Sequence, residues 1–236
     1  MISAENPPLP LAPHGRLLVC ATPIGNLDDV TLRVLRALAE ADLVACEDTR
    51  RTQILLRRHD IRAKRLLAFH EHNERRRSPE LLEQLRAGAL VALVSDAGMP
   101  VISDPGFLLV RACRAEDITV EVLPGPSAVP TALVASGLPA SRWSFVGFLP
   151  RKRAPRERLL RGVADTLVAF ESPHRLSATL DLLEQIDPDR PAAVCRELTK
   201  LHEEVTHGTA AELARRFRAN PPKGEIVLVV APPTSK

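Results

Sequence analysis

Short, uninterrupted apolar runs alternate with helix-period stretches along nearly the whole chain, and this alternation constrains the fold more than any other feature. A strand with one wet face alternates apolar and polar residues, whereas runs that are apolar throughout need a sheet covered on both faces. In the first half the runs fall at 17–22, 43–47, 65–69, 90–96 and 119–123. Helical patterns lie between them at 30–41, 49–58, 79–87 and 107–116. Val30, Val34, Leu35 and Leu38 form the apolar face of the first, with Asp29 as its expected N-cap. Such an α/β alternation predicts a mainly parallel sheet.

The second half repeats the logic, with strands expected at 144–149, 166–172, 192–198, 204–207 and 225–231. Its helices are expected at 127–136, 155–162, 174–186 and 210–219. A hairpin-sized gap after Leu198 predicts a mixed second sheet. Pro124-Gly125-Pro126 punctuates the seam. The expected organisation is a disordered tail over 1–15, an amino-terminal α/β domain over 16–124 and a carboxy-terminal α/β domain over 125–236.

A chain of 236 residues, 45% of them hydrophobic, can bury a core without disulfides or metal. Cys20, Cys46, Cys113 and Cys195 form no C-x-x-C pair, and three of them sit in apolar runs. They read as buried free thiols in a reducing cytoplasm, with no zinc site. No apolar run nears the roughly 18 residues of a membrane helix. The proline-rich start lacks the regions of a signal peptide, so a cytoplasmic protein is expected.

The net charge of +3 conceals two basic segments. Between 50 and 65 lie Arg50, Arg51, Arg57, Arg58, Arg62, Lys64 and Arg65 against Asp60 alone. Between 151 and 161 lie Arg151, Lys152, Arg153, Arg156, Arg158 and Arg161 against Glu157 alone. Arginine-rich clusters suit phosphate, and solvated helix faces are the bland alternative.

Three segments stand where α/β proteins bind ligands, at strand ends. T-P-I-G-N-L-D-D at 22–29 follows the first strand but has one glycine where a dinucleotide fingerprint needs three. S-D-A-G-M-P-V-I-S-D-P-G at 95–106 packs small residues and two aspartates into one connection. Small side chains let backbone groups approach a ligand, and Asp104 reads as the cap of the next helix. L-P-G-P-S-A at 123–128 follows, with Ser127 as an expected N-cap. No G-x-S-x-G elbow marks Ser127 as a nucleophile.

Together with C-E-D-T-R at 46–50, F-H-E-H-N-E at 69–74, F-V-G-F-L-P-R-K at 145–152, F-E-S-P-H-R at 170–175, R-E-L-T-K at 196–200 and G-E-I-V at 224–227, these segments resemble the tetrapyrrole methylase superfamily. Within it the chain is similar to the bacterial enzymes that methylate a cytidine 2′-hydroxyl in 16S ribosomal RNA. The resemblance implies two α/β domains with S-adenosylmethionine in the interdomain cleft, a class III methyltransferase arrangement, and a homodimer. It implies cofactor contacts from Pro23, Asp96, Ala97, Gly98 and Val101, then Ser127 and Ala128, then Phe170 and Gly224. It also implies the small ribosomal subunit as partner, with neither a metal nor a membrane. Departures from the G-x-G-P-G-D-like loop of tetrapyrrole-modifying members argue against a porphyrin-like substrate.

Methyl transfer to a hydroxyl is an in-line displacement in which a proton must leave the acceptor. Glu47, Asp48 and His70 are the expected catalytic wall, and Arg50, Arg151, Lys152 and Arg153 the expected RNA contacts. Glu171 and Glu197 are further acidic candidates, with pairing to Arg175 or Arg196 the plainer alternative. Two other functions stay open at this point. One is a C- or N-methyltransferase acting on a tetrapyrrole-like small molecule; the other is a non-catalytic RNA-binding module.

Overall fold

The computed structural model describes residues 15–233; apart from Gly15, the tail expected over 1–15 lies outside them. Its residue contacts separate two compact units. One takes the chain up to Pro23 together with Leu27–Pro126, and the other takes Ile24–Asn26 together with the chain from Ser127 onward. Both are α/β.

The first unit runs β1 (Arg16–Cys20), α1 (Leu32–Glu40), β2 (Leu43–Cys46), α2 (Thr49–Arg58) and β3 (Leu66–Ala68). It continues α3 (Glu74–Arg86), β4 (Leu90–Val94), α4 (Phe107–Ala115) and β5 (Thr119–Leu123). The five strands pair in parallel in the order β3-β2-β4-β1-β5. Alternate strand residues serve opposite faces. Leu17, Val19, Val91 and Leu93 pack with Leu81, Leu85 and Leu109 of α3 and α4. Leu18, Cys20, Ala92 and Val94 pack with Val34, Leu38, Leu55 and Leu56 of α1 and α2. This double cover is why the runs are apolar throughout.

In this unit, the starts of α1 and α3 differ from expectation. Thr31, not Asp29, caps α1, because its hydroxyl reaches the Val34 N–H. Helix α3 begins at Glu74 and carries Pro79 inside rather than at its start. The proline forgoes one internal bond. The helix nevertheless opens earlier because the Asn73 carbonyl accepts from the Arg76 and Arg77 N–H groups.

The second unit runs α5 (Ala128–Ser136), β6 (Trp143–Phe148), α6 (Arg153–Gly162), β7 (Thr166–Glu171) and α7 (Pro173–Ile186). It ends with β8 (Pro191–Arg196), β9 (Glu204–Thr209), α8 (Ala210–Ala219) and β10 (Ile226–Val230). Its sheet is mixed, in the order β6-β7-β10-β8-β9, with only β6 and β7 parallel. Helices α6, α7 and α8 cover one face. Helix α5 and Ile24 cover the other, against Val168, Cys195 and Val227. All four cysteines are buried free thiols. Among the described residues no helix is long and apolar enough to cross a membrane.

Candidate functional site

In the first unit, sheet order singles out one crevice. From β2 the chain moves outward to the edge strand β3; from β4 it moves the other way, past β1, to the opposite edge strand β5. Adjacent strands whose connections diverge leave a gap at their carboxyl ends, the usual ligand position in open α/β sheets. Glu47 and Asp48 follow β2, and Ser95 to Gly98 follow β4. The two ends are clasped. The Asp48 N–H donates to Asp96 Oδ1 at 2.9 Å, and the Asp96 N–H donates to Glu47 Oε2 at 3.4 Å. Arg51 Nε lies 3.6 Å from Asp96 Oδ2.

The loop after β1, on the other side of β4, is tied in as well. Thr22 and Gly98 exchange backbone bonds of 2.8 and 2.9 Å, and the Thr22 hydroxyl donates to the Ser95 carbonyl at 3.0 Å. Pro23 is buried beside this bridge. Gly98 has φ 79°, which a side chain would disfavour, so the turn keeps its backbone open.

Beyond Gly98 the backbone is strained. Val101 has φ 76° and Ser103 φ 67°. A β-branched residue in this region is an outlier that costs on the order of 1–3 kcal/mol, and such strain clusters at functional sites. The segment ends at Gly106, whose N–H, like that of Leu108, donates to Glu74 Oε1 at 2.9 Å. Glu74 of α3 thus caps α4, and Asp104 does not. The Asp104 carboxyl is instead turned into the crevice cluster and pushed up to about 7. Burial is the main cause, followed by the charge of Glu47, while the Ser95 hydroxyl opposes and Asp96 adds to the rise. Glu47 is raised too, chiefly by burial; the Asp96 N–H, Arg51 and His70 pull it down. Asp104 is the site residue the sequence reading missed.

Asp48 and Arg50 have local work. Asp48 caps α2, accepting from the Arg50 N–H at 2.8 Å, and its carboxylate receives the Arg50 fork at 3.2 and 2.9 Å. These bonds lower the Asp48 carboxyl to about 2. Half-buried His70 donates its backbone N–H to Asn73 Oδ1 at 2.9 Å, and its ring meets His72 edge-on at 6.0 Å.

In the second unit, Ser127 precedes α5 but makes no side-chain cap bond; its carbonyl accepts from the Thr131 hydroxyl at 2.7 Å. Ala128 opens the helix, half-buried. Phe170 packs against Phe145 and Phe148, at centroid distances of 5.1 and 5.4 Å. Gly224 has φ 94°, and a Cβ there would sit 2.5 Å from Glu197 Oε1. Glu197 accepts from Lys200 Nζ at 2.9 Å and from the Glu225 N–H at 2.8 Å, so it pairs with Lys200 rather than standing free. Gly25 makes its close approach to the protein itself: a Cβ would meet Lys200 Cγ at 2.5 Å. Glu171 is fully buried, held by Arg175 at 2.6 Å and by the Thr179 hydroxyl at 2.6 Å. Arg151, Lys152 and Arg153 stand exposed around the start of α6, with Arg153 donating to Gln185 Oε1 at 2.6 Å. Among the described residues no group of His, Cys, Asp or Glu is arranged to hold a metal ion.

A family model, Tetrapyrrole (Corrin/Porphyrin) Methylases, matches residues 16–214. A protein of Thermotoga maritima named Ribosomal RNA small subunit methyltransferase I is 47% identical over 220 residues, spanning 92% of this chain and 98% of that one. One of the same name from Mycobacterium bovis is 52% identical over 222 residues, spanning 92% of this chain and 78% of that one. Among solved structures, uroporphyrin-III C-methyltransferase from Thermus thermophilus complexed with S-adenyl homocysteine aligns with a TM-score of 0.62 at 22% identity, covering 91% and 97% of the two chains. Diphthine synthase aligns with a TM-score of 0.70 at 17% identity, covering 94% and 91%. These two share the fold. The chain belongs to the tetrapyrrole (corrin/porphyrin) methylase family.

Proposed function

We propose that this protein is an S-adenosylmethionine-dependent methyltransferase that modifies the 2′-hydroxyl of a cytidine in the 16S RNA of the small ribosomal subunit. The observation that carries this reading is the 47–52% identity, over more than nine-tenths of the chain, to proteins named as small-subunit ribosomal RNA methyltransferases. The reading includes a homodimer working in the cytoplasm.

The residues present suit the cofactor. S-adenosylmethionine offers a ribose diol, an ammonium and a sulfonium, and the crevice in the first unit gathers the carboxyls of Glu47, Asp96 and Asp104. Ala97 and the positive-φ Gly98 leave main-chain groups open to an adenosine. In this reading Pro23, Asp96, Ala97, Gly98 and Val101 hold it from the first unit. Ser127, Ala128, Phe170 and Gly224 do so from the second. When bound, the cofactor supplies an electrophilic methyl group.

The chain's own task is to orient the hydroxyl and accept its proton. Glu47 fits that role better than Asp48. A carboxyl raised by burial is the stronger base, whereas one held at about 2 by Arg50 is a weak one. His70, whose charge lowers Glu47, stands beside it. Arg50, Arg151, Lys152 and Arg153 supply phosphate contacts.

The test is transfer of tritium from methyl-labelled cofactor. Small subunits from cells lacking the protein, and a free tetrapyrrole, are offered in parallel. Label is expected in the RNA alone. Label in the tetrapyrrole would assign the small-molecule reaction, and RNA binding without any transfer would make the protein a binding module.

A further inference from the structure

Arg156 is 6% exposed, and its Nε is buried with no hydrogen-bond partner. Among the described residues no ion pair reaches its guanidinium. The fold satisfies its other buried arginine differently. Arg190, 1% exposed, donates to the carbonyls of Ala231, Leu160 and Val163 at 2.8, 2.8 and 3.4 Å. A charged side chain whose buried nitrogen finds no partner is costly unless an acceptor meets the group.

Its surroundings supply everything but the anion. Helical side chains lean toward the amino-terminal end, so Arg156 covers the first turn of α6, next to Lys152 and Arg153. There the Arg153 and Ala154 N–H groups have no helical acceptors, and the Lys152 side chain makes no cap bond. Arg151 and Lys152 are exposed alongside. The one carboxylate of the helix, Glu157, is taken by Arg161 at 2.9 and 3.0 Å.

We infer that Arg156 and the first turn of α6 form a binding site for a phosphodiester of the RNA backbone. The N–H groups and positive end of a helix suit a phosphate, and a guanidinium adds paired donors to its oxygens. The assignment rests on the proposed RNA substrate, which supplies the phosphodiester. It adds a seated contact to what are otherwise exposed, screened charges at 151–153.

The test compares wild type with Arg156→Met, which keeps the length of the side chain and removes the charge. The variant is expected to melt no lower than wild type, because an unanswered charge is gone. It should bind small-subunit RNA about tenfold more weakly. Its slope of log affinity against log salt should be shallower by about 0.7 to 0.9, the share of one phosphate. Affinity for S-adenosylhomocysteine should be unchanged. Inorganic phosphate, exchanged for chloride at equal ionic strength, should raise the melting temperature of wild type and not of the variant. Arg156→Lys, which keeps the charge, guards against a folding defect and should retain the slope.

A variant that melts lower, in a protein that phosphate does not protect, would make Arg156 a structural residue and overturn the assignment. Phosphate protection with an unchanged RNA slope would also overturn it, since the anion would not be RNA. If wild type binds no RNA at any salt concentration, the proposed function fails first, and the phosphate arm shows that failure separately.

Discussion

Asp104→Asn offers a near-isosteric probe of the crevice. In the folded protein the Asp104 carboxyl is raised from 3.8 to about 7 by burial and by the charges of Glu47 and Asp96. A raised carboxyl pKa contributes stability that is fully present below the unfolded value and is lost as pH rises through the folded one. The window therefore runs from about 4 to about 7. At face value the shift is worth about 4 kcal/mol. The group is partly open to water, so screening reduces this to about 2 kcal/mol. The amide never ionises and escapes the penalty. At pH 8 Asp104→Asn is expected to melt about 4–8 °C above wild type, at about 2–4 °C per kcal/mol for a chain of this size. The gap should narrow below pH 7 and close near pH 4. Melting curves by circular dichroism across that range provide the assay. A variant less stable than wild type at pH 8, or a gap independent of pH, would refute the picture of a buried carboxyl crowded by its neighbours.

Arg175→Met strands the fully buried Glu171 carboxylate and should lower the unfolding free energy of the second unit by about 3–5 kcal/mol in urea titration; adding Glu171→Gln should recover most of the loss. Glu74→Ala removes the carboxylate that accepts from the Gly106 and Leu108 N–H groups, and should cost about 1–2 kcal/mol in the same assay.

The double-covered sheet was legible because its signal is local: apolar runs of strand length between amphipathic stretches. Helices α2 and α8 fall on the helix-period stretches at 49–58 and 210–219; the Asp48 cap of the first and the Thr209–Glu212 capping box of the second emerge only in the structure. Local rules also misled. Pro79 suggested a helix start, but the Asn73 carbonyl opens α3 earlier. The S-D-P-G sequence suggested that Asp104 caps α4, yet Glu74, remote in sequence, supplies that cap. Positive φ at Val101 and Ser103 could not be read, since neither residue type favours it. Strand order was equally silent in the sequence. The divergence of β2 and β4, which brings Glu47 beside Asp96, emerges only from pairing between distant strands.

Alkaline hydrolysis reads directly whether the methyl group lands on a ribose oxygen of small-subunit RNA. A methylated 2′-oxygen cannot attack the adjoining phosphorus, so one position in the RNA becomes resistant to alkali. Small subunits from cells lacking the protein should show an alkali-labile position that is resistant in the parent. Purified protein with S-adenosylmethionine should restore the resistance. A label that enters the RNA while that position stays labile would place the methyl on a base and contradict the account.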